Sequence, residues 1–402
     1  MRFVVLMDPD DEARWSGAPA SLVQALRDAG HEVATIPPPG EPLWHRFKRR
    51  FYRQYLGRTY IVDRAPPVLR ARARTASRAL AALPDVDAVL AVHPPDAAYL
   101  DCRAPVIVVH DATWYQLLDY YPGLERSRLA RETVKAGIRL DRRALQTCDR
   151  VLYSSHWARD SAVRDYGIEP TKVWVAPLGA GLTTVPSRAD IARWLARRSQ
   201  GPCRLLFVGT EWHRKGGDIA ISVARRLQDG GMPVELHVVG CVPPAPLPSC
   251  VRLHGYLSKR DTTQAARLHR LFEDASFFIL PSRAECFGMV ICEAAAYGLP
   301  VIASDTGGIP EVLGGGEWGI MLAPTSPPES FARWIRAGRA DAEAYARMAW
   351  AARRDFEERL NWGVFCRRLV EIVHSLERER WHASKPLADQ GIARELEASP
   401  PP

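Results

Sequence analysis

Glu285 and Glu293 stand eight positions apart in PSRAECFGMVICEAAAYG, residues 281–298, and everything between them is apolar, Gly or Cys. A carboxylate in such surroundings is costly unless it is paired or hydrogen-bonded. Ionised, it is an acceptor only, and a sugar diol offers it two donors. The pair therefore suits recognition of hydroxyls. The competing reading makes Glu285 a helix-start acid favoured by the macrodipole and Glu293 a salt-bridge partner. Seventy residues earlier, FVGTEWHRKGGD (207–218) ends an apolar run in two cations, Arg214 and Lys215, then two glycines and a helical pattern. Backbone N–H groups, a helix N-terminus and two side-chain charges all favour an anion such as a phosphate; exposed loop charges are the alternative. A third segment, Asp305-Thr306-Gly307-Gly308-Ile309-Pro310-Glu311, has two glycines that let a backbone approach a ligand closely or simply make a tight turn. In the first half, Gly17 lies in Arg14-Trp15-Ser16-Gly17-Ala18-Pro19 just before a helical pattern, and His110-Asp111 ends an apolar run.

These segments need elements to hold them. Phe3–Met7, Glu32–Ile36, Ala88–Val92, Val106–His110, Arg150–Ser154 and Lys172–Ala176 read as short strands, apolar enough to be buried on both faces. Helical patterns at Ala18–Ala29 and Leu129–Cys148 alternate with them. The pattern restarts after TTVPSRAD with strands at Arg204–Gly209, Val234–Gly240, Val251–His254, Ser276–Leu280 and Pro300–Ser304. Helices are expected at Asp190–Arg198, Asp218–Asp229, Thr262–Glu273 and Gly288–Tyr297. Such βα alternation implies parallel sheets wound on both sides. The chain reads as two Rossmann-like, doubly wound α/β domains facing a cleft. One spans 1–182 and takes back a C-terminal amphipathic helix at about 362–378. The other spans 183–361, and 384–402 reads as a disordered tail. In open parallel sheets, ligands bind beyond the strand carboxyl ends, where all the segments above fall.

At 402 residues, with 47% hydrophobic residues, there is enough chain for two or three domains at roughly 150 residues each. No run of about 18 apolar residues predicts a membrane span, and the N-terminus does not read as a signal peptide. The eight cysteines form no CxxC pair, which disfavours structural zinc and points to free thiols. The net charge of +8 is concentrated in RFKRRFYR (46–53), RARART (70–75) and RLARETVKAGIRLDRR (128–143). Solvated faces, an anionic lipid surface met by the aromatic and basic stretch Trp44–Arg58, and nucleic acid compete for these runs. No recognised nucleic-acid module is present.

The two most specific stretches, FVGTEWHRKGGD and PSRAECFGMVICEAAAYGLPVIASDTGGIPEV, resemble retaining GT-B glycosyltransferases of family 4, and the likeness runs in order over about 1–378. The second carries that family's Glu, seven residues, Glu signature. The resemblance implies that Glu293 binds the ribose of a nucleotide-sugar donor, UDP- or GDP-linked. It further implies that Glu285 contacts the transferred sugar, and that Lys215 with Arg214 neutralises the diphosphate. Gly17 would face that diphosphate, and His110 would lie on the anomeric side. Backbone amides around Phe287, Gly288 and Met289 would approach the phosphate and sugar. It also implies a glycan, lipid-linked or small-molecule acceptor bound mainly by first-domain loops, with Trp44–Arg58 the candidate region, and a role in cell-envelope polysaccharide synthesis. No Asp-x-Asp motif stands out at a strand end, so no metal and no cofactor are expected. The free thiols point to the cytoplasm, and the basic aromatic stretch to a place at the inner membrane face. The sequence departs from the family at Thr210, where many members have Arg, at WSGAP in place of a Gly-Gly pair, and at Gly179-Ala180-Gly181, which extends no side chain. A non-catalytic GT-B nucleotide-binding subunit is the second reading. A nicotinamide oxidoreductase ranks last, because no GxGxxG follows the first strand.

Overall fold

The structure is a computed structural model, and it describes residues 1–8, 14–198, 200–244 and 246–384. Its strands are short apolar runs covered on both faces. Val4, Val89, Val108 and Val151 in one sheet, and Leu205, Leu236, Ile279 and Ile302 in the other, are fully buried. The first domain runs β1 (Arg2–Leu6), α1 (Ala18–Asp28), β2 (Glu32–Ile36), α2 (Leu43–Leu56), α3 (Pro66–Ala81), β3 (Ala88–Ala91), β4 (Val106–His110), α4 (Trp114–Leu117), α5 (Arg131–Thr147), β5 (Arg150–Tyr153), α6 (His156–Tyr166) and β6 (Val173–Val175). The second runs α7 (Arg188–Arg198), β7 (Cys203–Val208), α8 (Gly217–Asp229), β8 (Val234–Val239), β9 (Val251–Gly255), α9 (Thr262–Asp274), β10 (Phe277–Leu280), α10 (Met289–Ala296), β11 (Val301–Ser304), α11 (Ile309–Leu313), β12 (Gly319–Leu322), α12 (Pro328–Ala340) and α13 (Ala342–Glu358). A last helix, α14 (Trp362–Ser384), follows.

Each half holds a six-stranded sheet, in the orders β2-β1-β3-β4-β5-β6 and β12-β11-β10-β7-β8-β9. Every strand pair is parallel. Strand order reverses between β1 and β3 in one sheet and between β7 and β10 in the other. Such switch points open a crevice at the strand carboxyl ends. The loops after β7 and β10, which hold Lys215 and Glu285, flank one of them.

α14 turns back onto the first domain, where Phe365, Leu369 and Ile372 share an apolar cluster with Leu22 and Leu26 of α1. Arg380 donates to Asp149 at 3.1 Å, and Arg368 lies 4.5 Å over the Trp174 ring. The helix reaches Ser384, beyond the expected end near 378. The expected tail lies, from residue 385, outside the described residues. The two crossings of the chain touch: a Cβ at Gly179 would stand 2.3 Å from the Trp362 nitrogen.

One strand escaped the sequence. No element is expected after Pro300–Ser304 near LGGGEWG (313–319), yet β12 begins at Gly319 and pairs with β11. A Cβ there would sit 2.6 Å from the Val301 carbonyl, so the glycine that hides the strand is what permits the pairing. All eight cysteines are unpaired. Among the described residues, no helix is long and apolar enough to cross a membrane.

Candidate active site

The loop after β7 closes through Gly216, a left-handed residue (φ 75°) at the start of α8. A side chain on it would meet the Pro281 carbonyl at 2.0 Å, so this loop and the one after β10 are pressed together. That packing takes Arg214 and Lys215 out of solvent; they are 8% and 9% exposed. The Lys215 ammonium is bonded to the Glu285 carboxylate, and Arg214 lies 3.5 Å from the same oxygen. Arg214 has further partners. It donates to Glu211 at 2.6 Å and to the Ala284 carbonyl at 3.0 Å, and its guanidinium lies 4.6 Å over the Tyr121 ring. It braces the loop as much as it supplies charge. Thr210 precedes both cations in the same loop.

Glu285 is followed by buried Cys286 and Phe287, then by Gly288 (φ 91°), which starts α10 at Met289. The 305–308 turn lies directly against this loop. Cβ atoms on Gly307 and Gly308 would come within 1.7 Å of the Glu285 carbonyl and 2.1 Å of the Cys286 carbonyl. One turn along α10, Glu293 is only 3% exposed. Its Oε1 is bonded to Lys259, which also donates to the Gly181 carbonyl at 2.9 Å. Its Oε2 has no hydrogen-bond partner among the described residues. Gly181, Lys259, Glu293 and Met289 converge on one spot between the domains: a Cβ on Gly181 would lie 3.2 Å from Glu293 Oε1, 3.4 Å from Lys259 Nζ and 3.6 Å from Met289 Cε. The missing side chain after the last strand of the first domain leaves this room.

From the first domain come Gly17, His110 and a pair of tyrosines. Trp15, Ser16 and Gly17 all have positive φ (50°, 54° and 80°), which turns the chain sharply into α1. Gly17 caps that helix without a side-chain bond. The turn stacks the Trp15 ring on the His110 ring, centroids 5.0 Å apart and planes 9° apart. His110 Nδ1 lies 3.1 Å from the Ala112 carbonyl and 3.2 Å from Asp111 Oδ1. These two acceptors lie closer than the Ala112 N–H, which also faces Nδ1 at 3.3 Å, so a proton on Nδ1 is favoured, and Nε2 has no hydrogen-bond partner among the described residues.

Tyr120 and Tyr121 reach across to the second domain. The Tyr120 hydroxyl accepts from the Glu285 N–H at 2.9 Å and lies 2.8 Å from Thr306 Oγ1. The Tyr121 hydroxyl accepts from the Cys286 N–H and from Arg214, both at 3.3 Å. Burial pushes both phenols up, so they stay neutral hydroxyls; the Glu285 charge adds to this at Tyr121. A further bond between domains joins His156 Nδ1 to Glu311 at 2.7 Å.

The structure thus gathers Lys215, Arg214, Glu285, Phe287 and Gly288 into one packed set of loops. Met289 and Glu293 lie on the adjoining helix, Gly17 caps α1, and His110 ends β4. Lys259, Tyr120 and Tyr121 were missed. Lys259 is one lysine in a polar run, LSKRD, with no spacing to mark it. The tyrosines had a faint signal: adjacent aromatics in DYYPG, shortly after a strand ending in His-Asp.

Two parallel-sheet domains, with a helix returning from the second onto the first and polar loops meeting between them, define the GT-B fold. Comparison with known proteins agrees. Residues 20–183 match the family model described as Glycosyltransferase Family 4, and residues 202–338 match Glycosyl transferases group 1. Curated relatives include a glycogen synthase of Mycobacterium tuberculosis, 30% identical over 210 residues and 50% of each chain. A D-inositol 3-phosphate glycosyltransferase of Streptomyces bingchenggensis is 29% identical over 229 residues, 53% of this chain and 50% of that one. The chain spans about half the length of the curated relatives it matches. Among solved structures, sucrose-phosphate synthase of Thermosynechococcus elongatus superposes with a TM-score of 0.67 at 18% identity, covering 94% of this chain and all of that one. Anabaena HepE in complex with UDP-glucose gives 0.62 at 16% identity, covering 93% and 100%. The chain belongs to the GT-B glycosyltransferases of the family 4 type.

Proposed function

We propose that this protein transfers a sugar from a nucleotide-sugar donor to a glycan or lipid-linked acceptor, with retention at the anomeric carbon and without a metal ion. The observation that carries the reading is Glu293. It is a buried carboxylate between the domains, with one oxygen bound by Lys259 and the other without a hydrogen-bond partner among the described residues. A ribose diol supplies what that oxygen needs.

In this reading, Lys215 sits against the diphosphate as the leaving group gains charge. A buried ammonium already held in place stabilises that charge more in the transition state than in the ground state. Glu285, next to Lys215, accepts from hydroxyls of the transferred sugar. The N-termini of α10 and α1, opened by Gly288 and Gly17, turn backbone N–H groups toward the phosphates. His110, held by Trp15 and by acceptors at Nδ1, points Nε2 to the anomeric side. The acceptor enters from the first domain, and the departing phosphate takes its proton. UDP is the first donor base to try, because HepE was solved with UDP-glucose. A glycan acceptor agrees with the names of relatives such as glycogen synthase.

The test is a panel of UDP-, GDP- and ADP-sugars scored for binding and for nucleotide release, with and without a metal chelator. Turnover of one donor that survives chelation supports metal-independent use of a nucleotide sugar, and the anomeric configuration of the product tests retention. Turnover lost on chelation and restored by a divalent ion removes metal independence. Binding without any release makes the protein a nucleotide-binding subunit, and no binding refutes the proposal.

A further inference from the structure

The cleft leaves the helix LWHRFKRRFYRQYL unexplained. α2 contains no acidic residue. Its inner face is anchored: His45 is fully buried and lies 3.2 Å from the Tyr60 hydroxyl, and Tyr52 stacks on Tyr60 at 5.5 Å. At about 100° per residue, Leu43, Phe47, Phe51, Trp44 and Tyr55 fall side by side on a neighbouring face. All five are exposed, Phe47 to 73%. Arg46, Arg49, Arg50 and Arg53 form the next strip. With Leu43 and Phe47 they line an open cavity of about 640 Å³. Among the described residues, only Arg49 of these four has a carboxylate within reach, Glu41 at 3.4 Å.

A soluble surface rarely shows five large apolar side chains in a row. An aromatic stripe beside a strip of cations on one helix is the pattern of a helix lying in a membrane interface. A second copy fits poorly, because facing α2 helices would bring their arginines together without an acid to offset them. A neutral glycan would leave the arginines unused. We propose that α2 docks on an anionic phospholipid surface. The aromatic stripe enters the boundary between headgroups and acyl chains, and the arginines meet lipid phosphates in the cavity beside it. Only Pro37–Pro42 separate the carboxyl end of β2 from α2, a reach of about 20 Å at most. Docking there brings the cleft end of the first domain to the lipid surface. The inference does not depend on the catalytic reading, and its test uses no donor.

The test is flotation of the full chain with vesicles of neutral phosphatidylcholine and with vesicles also containing phosphatidylglycerol, at low and high salt. Wild type floats with the anionic vesicles at low salt and not with the neutral ones. Phe47→Glu/Phe51→Glu stays behind, with an unchanged unfolding transition because both side chains are exposed. Arg49→Gln/Arg50→Gln weakens binding roughly fivefold per arginine and flattens the salt dependence. Three outcomes overturn the proposal: wild type that ignores anionic vesicles, aromatic variants that float like wild type, or a wild-type dimer that the same variants turn into monomer.

Discussion

Replacing Glu293 by Gln separates ligand recognition from folding. Gln keeps the shape and one acceptor oxygen but removes the charge. In the protein alone, the change weakens a bond to Lys259, whose side chain is 41% exposed. Ion pairs with so exposed a partner are worth about 0.2–1 kcal/mol. It also relieves the desolvation of Oε2, an unpartnered buried oxygen that costs about 1–3 kcal/mol. These effects oppose each other, so the variant should lose no more than about 1 kcal/mol of unfolding free energy and gain at most about 3 kcal/mol. Nucleotide binding should respond differently. A hydrogen bond to a charged group is worth about 1.5–3 kcal/mol, and losing one weakens affinity roughly 10- to 150-fold. Calorimetric titration with UDP, GDP and ADP, paired with urea unfolding of the same samples, measures both. Glu273→Gln is the control: that carboxylate pairs with Arg197 on the α7–α9 side and should leave affinity unchanged. The reasoning fails if Glu293→Gln binds every nucleotide within twofold of wild type while losing several kcal/mol of stability. Glu293 would then serve only to hold Lys259.

Lys215→Met removes the ammonium and leaves Glu285 with Arg214 at 3.5 Å; steady-state assays on the donor found by the panel should show kcat down about 100- to 1000-fold, and denaturant titration an unfolding free energy lowered by up to about 3–5 kcal/mol, because Arg214 offsets only part of the unpaired buried carboxylate. Tyr120→Phe deletes the hydroxyl that joins Thr306 to the Glu285 N–H; one neutral hydrogen bond predicts a loss of about three- to tenfold in kcat/KM, with the melting temperature nearly unchanged. Hydrogen bonds from Arg188 and Arg353 hold Glu357 down to about 2, against 4.5 for a free glutamate. Because the folded value lies below the unfolded one, its stabilising effect is complete above pH 4.5 and is lost as pH falls toward 2; Glu357→Gln should therefore be less stable than wild type at pH 7 and converge with it near pH 2 in denaturant titrations.

What the sequence disclosed follows from what a residue type does locally. Lone apolar runs gave the interior strands, since a strand covered on both faces has little else to be. β12 failed because its first residue must be Gly to approach Val301, and glycine reads as loop. Glu285 and Glu293 were visible because charge inside an apolar run is an anomaly. Lys259 was not, because a lysine in a polar run is ordinary until β9 and α9 carry it to Glu293. The tyrosine bridge is a contact between residues 120 and 285; no local pattern encodes so distant a partner. The sequence had assigned both Arg214 and Lys215 to an anion. In the fold Arg214 is shared among Glu211, Ala284, Tyr121 and Glu285, whereas among the described residues the Lys215 ammonium is bonded to Glu285 alone.

That last pairing has an energetic consequence. A diphosphate that draws Lys215 toward itself strips Glu285 of its closest cation, and a buried carboxylate left without partners is penalised. Arg214 offsets only part of this, being already engaged by Glu211. A nucleoside diphosphate alone must bear the cost. A nucleotide sugar does not, because its sugar hydroxyls donate to the freed carboxylate. The intact donor should thus bind at least tenfold more tightly than its diphosphate, the worth of one hydrogen bond to a charged group. In Glu285→Gln there is no charge to rescue, so the two affinities should draw together, chiefly through tighter binding of the diphosphate. Competition titrations with a non-hydrolysable nucleotide sugar measure all four affinities. Equal affinities in the wild type, or a gap that Glu285→Gln leaves intact, would mean that Lys215 and Glu285 do not exchange partners and that their bond persists with donor bound.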